Sequence, residues 1–142
     1  MLTLAQANRI IEGAFAKAGE MNVRPLAVVV LDESGHVVSA QRQDRASMFR
    51  FDVALGKAWA AVAMGASSRA LAGRAKGNPN FFVALAATAQ GKFLPQPGAA
   101  LIKDDAGNIL GAAGASGGTG DEDEACCVAG IELAGLRADA SE

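Results

Sequence analysis

Residues 108–133 read NILGAAGASGGTGDEDEACCVAGIEL, and the rest of the chain is arranged around them. Ile109 to Ala115 is a run of apolar and small residues suited to a buried strand. Ser116-Gly117-Gly118-Thr119-Gly120 follows as a turn, in which glycine admits positive φ and close backbone approach. Asp121-Glu122-Asp123-Glu124 then open a helix, where carboxylates meet the unpaired N–H groups and the positive end of the helix dipole. Two readings of this strand, turn and helix stand side by side. One is a ligand-binding turn that presents bare N–H donors, and the other is a tight, well-capped connection.

Working outward, Ala99 to Lys103 and the turn Asp104-Asp105-Ala106-Gly107 lead into the central stretch, preceded by Phe93-Leu94 and Pro95-Gln96-Pro97-Gly98. Connections this short predict a meander of two or three antiparallel strands. Leu26 to Leu31 (LAVVVL) is continuously apolar and β-branched, so its strand is covered on both faces, and after the turn Asp32-Glu33-Ser34-Gly35 a second strand runs from His36 to Arg42. Thr3 to Gln6 matches a capping box, and apolar residues at 4, 7, 10, 11, 14, 15 and 18 predict a helix ending near Gly19. Phe51 to Met64 reads as a largely buried helix. Ser67 caps a short helix to Gly73, a loop runs from Gly73 to Gly77, and Asn78-Pro79 starts another helix through about Ala87. The order is α-β-β-α-α-α-β-β-β-α, an α+β domain spanning residues 1–142 with one antiparallel sheet of about five strands flanked by helices.

The formal charge is −2, with no basic run, which argues against a nucleic-acid partner. No apolar run reaches the roughly 18 residues needed to span a bilayer, and the first residues lack the pattern of a signal peptide, so a cytoplasmic protein is expected. Cys126 and Cys127 are adjacent and have no matching histidine spacing, which suits a reducing compartment and no metal site. Small-residue helix faces at Ala54, Ala58, Ala61 and at Ala84, Ala86, Ala87 predict a homo-oligomer.

The glycines of the central stretch fit neither the dinucleotide fingerprint nor a Walker A loop, and a single histidine, His36, assembles no hydrolytic triad. His36 follows a turn glycine and reads as a solvated first residue of a strand. Lys57, inside an apolar helix, either snorkels to its edge or meets an anion. Arg42 and Asp44 close the hairpin at a strand end, where ligand sites are common and solvated charged ends commoner still.

LAVVVLDESGHVVSAQRQD, DVALGKAWAAVAMGASSRAL and GNILGAAGASGGTGDEDEACCVAGIEL together resemble the GlcG/HbpS family, which includes the carboxy-terminal domain of PduO-type proteins. The resemblance runs from Leu2 to about Leu136 and is most specific in G-x-x-G-x-S-G-G-T-x-x-x-D-E at Gly111 to Glu124 and in Lys57-Ala58. It implies a profilin-like fold, assembly into dimers or rings up to octamers, and, for several relatives, haem or corrinoid-related ligands. This chain departs from the resemblance at Gly98-Ala99-Ala100-Leu101, where relatives often have Gly-Gly-x-Pro, and it has no histidine in its first helix.

Two functions follow. A binding module would hold a tetrapyrrole or a small anionic metabolite between Arg42, Asp44, Lys57 and the turn Ser116, Gly117, Gly118 and Thr119. A catabolic isomerase or lyase would use Asp123 or Glu124 as acid/base, with the glycine N–H groups holding an oxyanion.

Overall fold

The run at residues 26–31 is apolar throughout because its strand has a helical layer on each side. The structure, a computed structural model, describes residues 1–142. In chain order the elements are α1 (Leu4–Met21), β1 (Ala27–Asp32), β2 (Val37–Arg42), α2 (Phe49–Met64), α3 (Ser68–Gly77), α4 (Pro79–Thr88), β3 (Ala99–Lys103), β4 (Ile109–Ser116), α5 (Gly120–Leu133) and β5 (Arg137–Asp139). Five strands form one antiparallel sheet ordered β2-β1-β4-β3-β5. Alternation along each strand divides the core. Val28, Val30, Ile102, Ala113 and Ala115 lie under α1 and α5, with Ile10, Ile11, Cys126 and Ile131. Val29, Leu31, Leu101 and Ala112 meet Ala54, Ala58 and Ala61 of α2 on the other face.

The α+β class and the five-stranded antiparallel sheet agree with the sequence expectation. The fifth strand, however, follows α5 instead of preceding β3. β5 is only three residues long and begins and ends with charge, so no periodicity announces it; pairing with β3 and a Lys103–Asp139 ion pair of 2.6 Å hold it. Phe93 is instead buried with Leu71 and Phe82 beneath α3 and α4. The expected loop from Gly73 to Gly77 continues α3, and both glycines have open space where a side chain would stand.

α1 and α5 cross at glycine. A Cβ at Gly130 would stand 2.1 Å from the Ile10 carbonyl oxygen, and one at Gly13 would stand 2.9 Å from the Gly130 Cα. That approach sets how deeply α5, and the turn before it, sits on the sheet. Gly130→Ala should therefore force the helices apart and cost roughly 1–3 kcal/mol in urea unfolding, the range of an overpacked core. Gly19→Ala, where nothing lies within 4 Å, should be neutral or gain up to about 1 kcal/mol from helix propensity.

Candidate functional site

α2 carries Lys57 onto the end of β4, where small residues let the helix come close. Lys57 Nζ donates to the Ala115 carbonyl at 3.0 Å and to Asp123 Oδ2 at 3.1 Å. The other Asp123 oxygen, Oδ1, accepts from the Gly118 N–H at 2.9 Å. Both side chains are buried, Lys57 at 7% and Asp123 at 2% exposure. Lys57 thus meets an anion of its own chain and does not snorkel to the helix edge. Gly98, at φ +133°, makes room for it: a Cβ there would lie 2.5 Å from Lys57 Nζ. An ammonium has three donors, and the protein accepts two of them.

The four carboxylates of the α5 first turn are all engaged. Glu122 accepts from the Thr119 N–H while the Thr119 hydroxyl accepts from the Glu122 N–H, a complete capping box. Asp123 holds Lys57. Asp121 and Glu124 bond the guanidinium of Arg69 on α3, whose Nε donates to Glu124 at 2.8 Å and 3.1 Å. Those bonds, first to Glu124 and then to Asp121, push the Arg69 pKa further up and keep it a cation. The acid/base candidates Asp123 and Glu124 are therefore each held in an ion pair, and neither is a free carboxylate. Gly118 does not have positive φ; it is small because a Cβ would come within 2.7 Å of Val23.

The donors are another matter. Ser116 is buried, accepts from Arg50 Nη1 at 3.4 Å, and donates to no protein group. Arg50 and Arg24 make no ion pair. In the first turn of α5 the N–H groups of Gly120 and Asp121 have no intrahelical carbonyl to meet. Lys57, Ser116, Gly118, Gly120, Asp121 and Asp123 line an open hollow of about 440 Å³ with Arg50, Val53, Leu94, Gln96 and Pro97. Arg50 and Gly118 also border a second hollow of about 430 Å³, formed with Asn22, Arg24, Gly117, Thr119 and Glu122 and without any apolar residue. Sequence reading misses Arg50, although it stands seven residues before Lys57, two turns back on the same helix face.

Arg42 and Asp44 lie apart from this site. They border a separate hollow with Phe15, Val23, Pro25, Gln41 and Gln43. The segment from Asn22 to Pro25 lies between the two hollows: Asn22 and Arg24 line the one beside the glycine turn, and Val23 and Pro25 line the one beside Arg42. Arg42 itself is turned to the Ala46 carbonyl. His36 stands in the β1–β2 turn with an 81% exposed side chain. In the sheet Asp32 pairs with Gly111 whereas Ala27 pairs with Ser116, so His36 is at the opposite end from the glycine turn. Cys126 and Cys127 are buried free thiols. Desolvation, reinforced by the Asp123 charge, pushes the Cys126 pKa up to about 11, and desolvation raises that of Cys127 well above its ordinary value.

Residues 2–132 match the family described as Haem degrading protein HbpS-like. The chain belongs to the HbpS-like family. It is 29% identical over 122 residues to an uncharacterised 15.0 kDa protein of Citrobacter freundii from the dhaT-dhaS intergenic region, covering 86% of this chain and 84% of that one. Among solved structures, a Streptomyces reticuli HbpS double mutant superposes with a TM-score of 0.80 at 27% identity, covering 93% of this chain and 86% of that one. The PduOC:haem complex does so with a TM-score of 0.84 at 24% identity, covering 95% and 96%, a likeness of fold. No helix of this HbpS-like protein is long and apolar enough to cross a membrane.

The buried pair makes a stability prediction. Lys57→Met leaves Asp123 charged, buried and half-satisfied, which should cost roughly 3–5 kcal/mol in urea unfolding. Adding Asp123→Asn, which keeps an acceptor for Gly118 N–H and removes the orphaned charge, should recover a large part of that loss.

Proposed function

We propose that this HbpS-like protein binds a small, acceptor-rich anion of the carboxylate type in the hollow between α2 and the Ser116–Gly120 turn. One observation carries the reading: each nearby carboxylate already has a partner, while the third Lys57 N–H, the Ser116 O–H and the N–H groups of Gly120 and Asp121 have no acceptor, and Arg50, bonded only to the Ser116 oxygen, has no counter-charge. Leftover donors call for an acceptor. The Asp123 pair also fixes the Lys57 ammonium in place, so an incoming anion meets an oriented donor and loses little freedom in organising it.

The family description names haem, and the residues of this site do not fit it. A haem needs apolar walls for its macrocycle and an axial ligand. The Arg24 hollow has no apolar wall, the Lys57 hollow is lined mostly by polar and charged groups, His36 is at the far end of the sheet, and the cysteine thiols are buried and protonated. The reading of Asp123 or Glu124 as acid/base for an isomerase or lyase finds no support in carboxylates that are held by Lys57 and Arg69.

Titration calorimetry with malonate, succinate, inorganic phosphate and haemin tests the proposal. At least one small anion should bind, and Arg50→Gln or Ser116→Ala should weaken it roughly tenfold or more without moving the melting temperature. His36→Ala should leave every titration unchanged. Haemin binding that is lost in His36→Ala, or no anion binding at all, would overturn the proposal.

A homo-oligomer, dimer up to octamer, belongs to the same proposal. Ala54, Ala58 and Ala61 are buried against the sheet within one chain and offer nothing to a partner. α4 does: it has no charged residue, and Phe81 and Val83 are 51% and 73% exposed beside Ala84 and Ala87. A second copy covering α4 would remove this apolar surface from water. Light scattering after size-exclusion should give a dimer or larger, and Val83→Glu should shift it toward monomer; a wild-type monomer at micromolar concentration would contradict it.

A further inference from the structure

Resting on the anion proposal, we infer that Arg69 sets the charge preference of the Lys57 hollow by pairing with Asp121 at its rim and Glu124 behind it. Arg69 does not line the hollow. It stands on α3 in a neighbouring depression with Ala70, Gly73, Arg74 and Pro97. Its partner Asp121 does line the hollow, and the Asp121 side chain is 84% exposed, so nothing but the ion pair restrains its carboxylate. Glu124, one turn along α5, is 13% exposed and takes the inner side of the fork.

The charge count shows why this matters. Arg50 and Lys57 on the hollow wall balance Asp121 and Asp123. Glu124 adds one negative charge behind the wall, and Arg69 cancels it. Without Arg69 the region would carry a net charge of about −1, with Asp121 unpaired at its rim and Glu124 unpaired behind it. A released Asp121 would also be free to fold over the first-turn N–H groups of its own helix, which favour a carboxylate there. It would then act as an internal anion in competition with the ligand. A guanidinium suits the task because it bonds two carboxylates at once through one planar fork, which an ammonium does not reproduce.

The test compares wild type, Arg69→Met, Arg69→Lys and the triple variant Arg69→Met, Asp121→Asn, Glu124→Gln in calorimetric titrations with malonate and inorganic phosphate at low and high salt. Arg69→Met should weaken anion binding roughly three- to tenfold at low salt. The deficit should shrink at high salt, where exposed charges are screened. Arg69→Lys should fall between Arg69→Met and wild type. The triple variant, left with Arg50 and Lys57 against Asp123, should bind at least as tightly as wild type whatever its melting temperature, which a purely structural role would not produce. Wild-type affinity in Arg69→Met, or a triple variant as weak as Arg69→Met, overturns the assignment of Arg69 and leaves the anion site standing. A wild type that binds neither probe overturns both.

Discussion

Lys57 and Asp123 come from helices on opposite faces of the sheet, 66 residues apart, and meet at 3.1 Å with almost no access to water. Each fixes a different piece of backbone: Lys57 the last turn of β4 through the Ala115 carbonyl, Asp123 the glycine turn through the Gly118 N–H. Burying two charges is costly, and such a pair is seldom the cheapest way to stabilise a core. What it contributes here is position. A strand end, a turn and a helix start are held in one register, with an ammonium whose remaining donor has a fixed direction. The small residues around it are the condition for this, because Gly98 leaves the space that Lys57 occupies and the Gly13–Gly130 crossing lets α5 come down to the sheet.

Much of this was legible in the sequence wherever the cause is local. The capping boxes at Thr3 and Thr119, the helix start at Pro79 and the doubly covered strand at Leu26–Leu31 depend on neighbours a few residues away. The glycine turn was legible as a tight, well-capped connection for the same reason, and its Gly118 and Thr119 N–H groups are taken up by Asp123 and Glu122 of the following helix. The partners of the charged residues were not legible, because ion pairs such as Lys57–Asp123 and Arg69–Glu124 join positions 66 and 55 residues apart. Arg42 and Asp44 looked like members of the same site for the reason that strand ends cluster; the Asn22–Pro25 segment, inserted between β2 and the glycine turn, separates them. Arg50 was within reach of helical periodicity once Lys57 was taken as a reference point.

Membership in the HbpS-like family accounts for the fold, and the site residues then narrow what this member can hold. A polar hollow with surplus donors, paired carboxylates and a distant, exposed histidine is suited to a compact anion and poorly suited to a macrocycle. On this account the acidic first turn of α5 does not repel such a ligand, because Arg69, Lys57 and the capping box each hold part of its charge.

The central claim is that the donors around Lys57 receive the ligand, and an amide-resolved NMR titration with malonate reads this most directly. The account predicts saturable shifts centred on the amides of Gly120 and Asp121 and confined to them, to the adjoining glycine turn and to α2 around Arg50. Shifts that map instead to Gln41–Asp44 or to the turn at His36, or an unchanged spectrum, would contradict it.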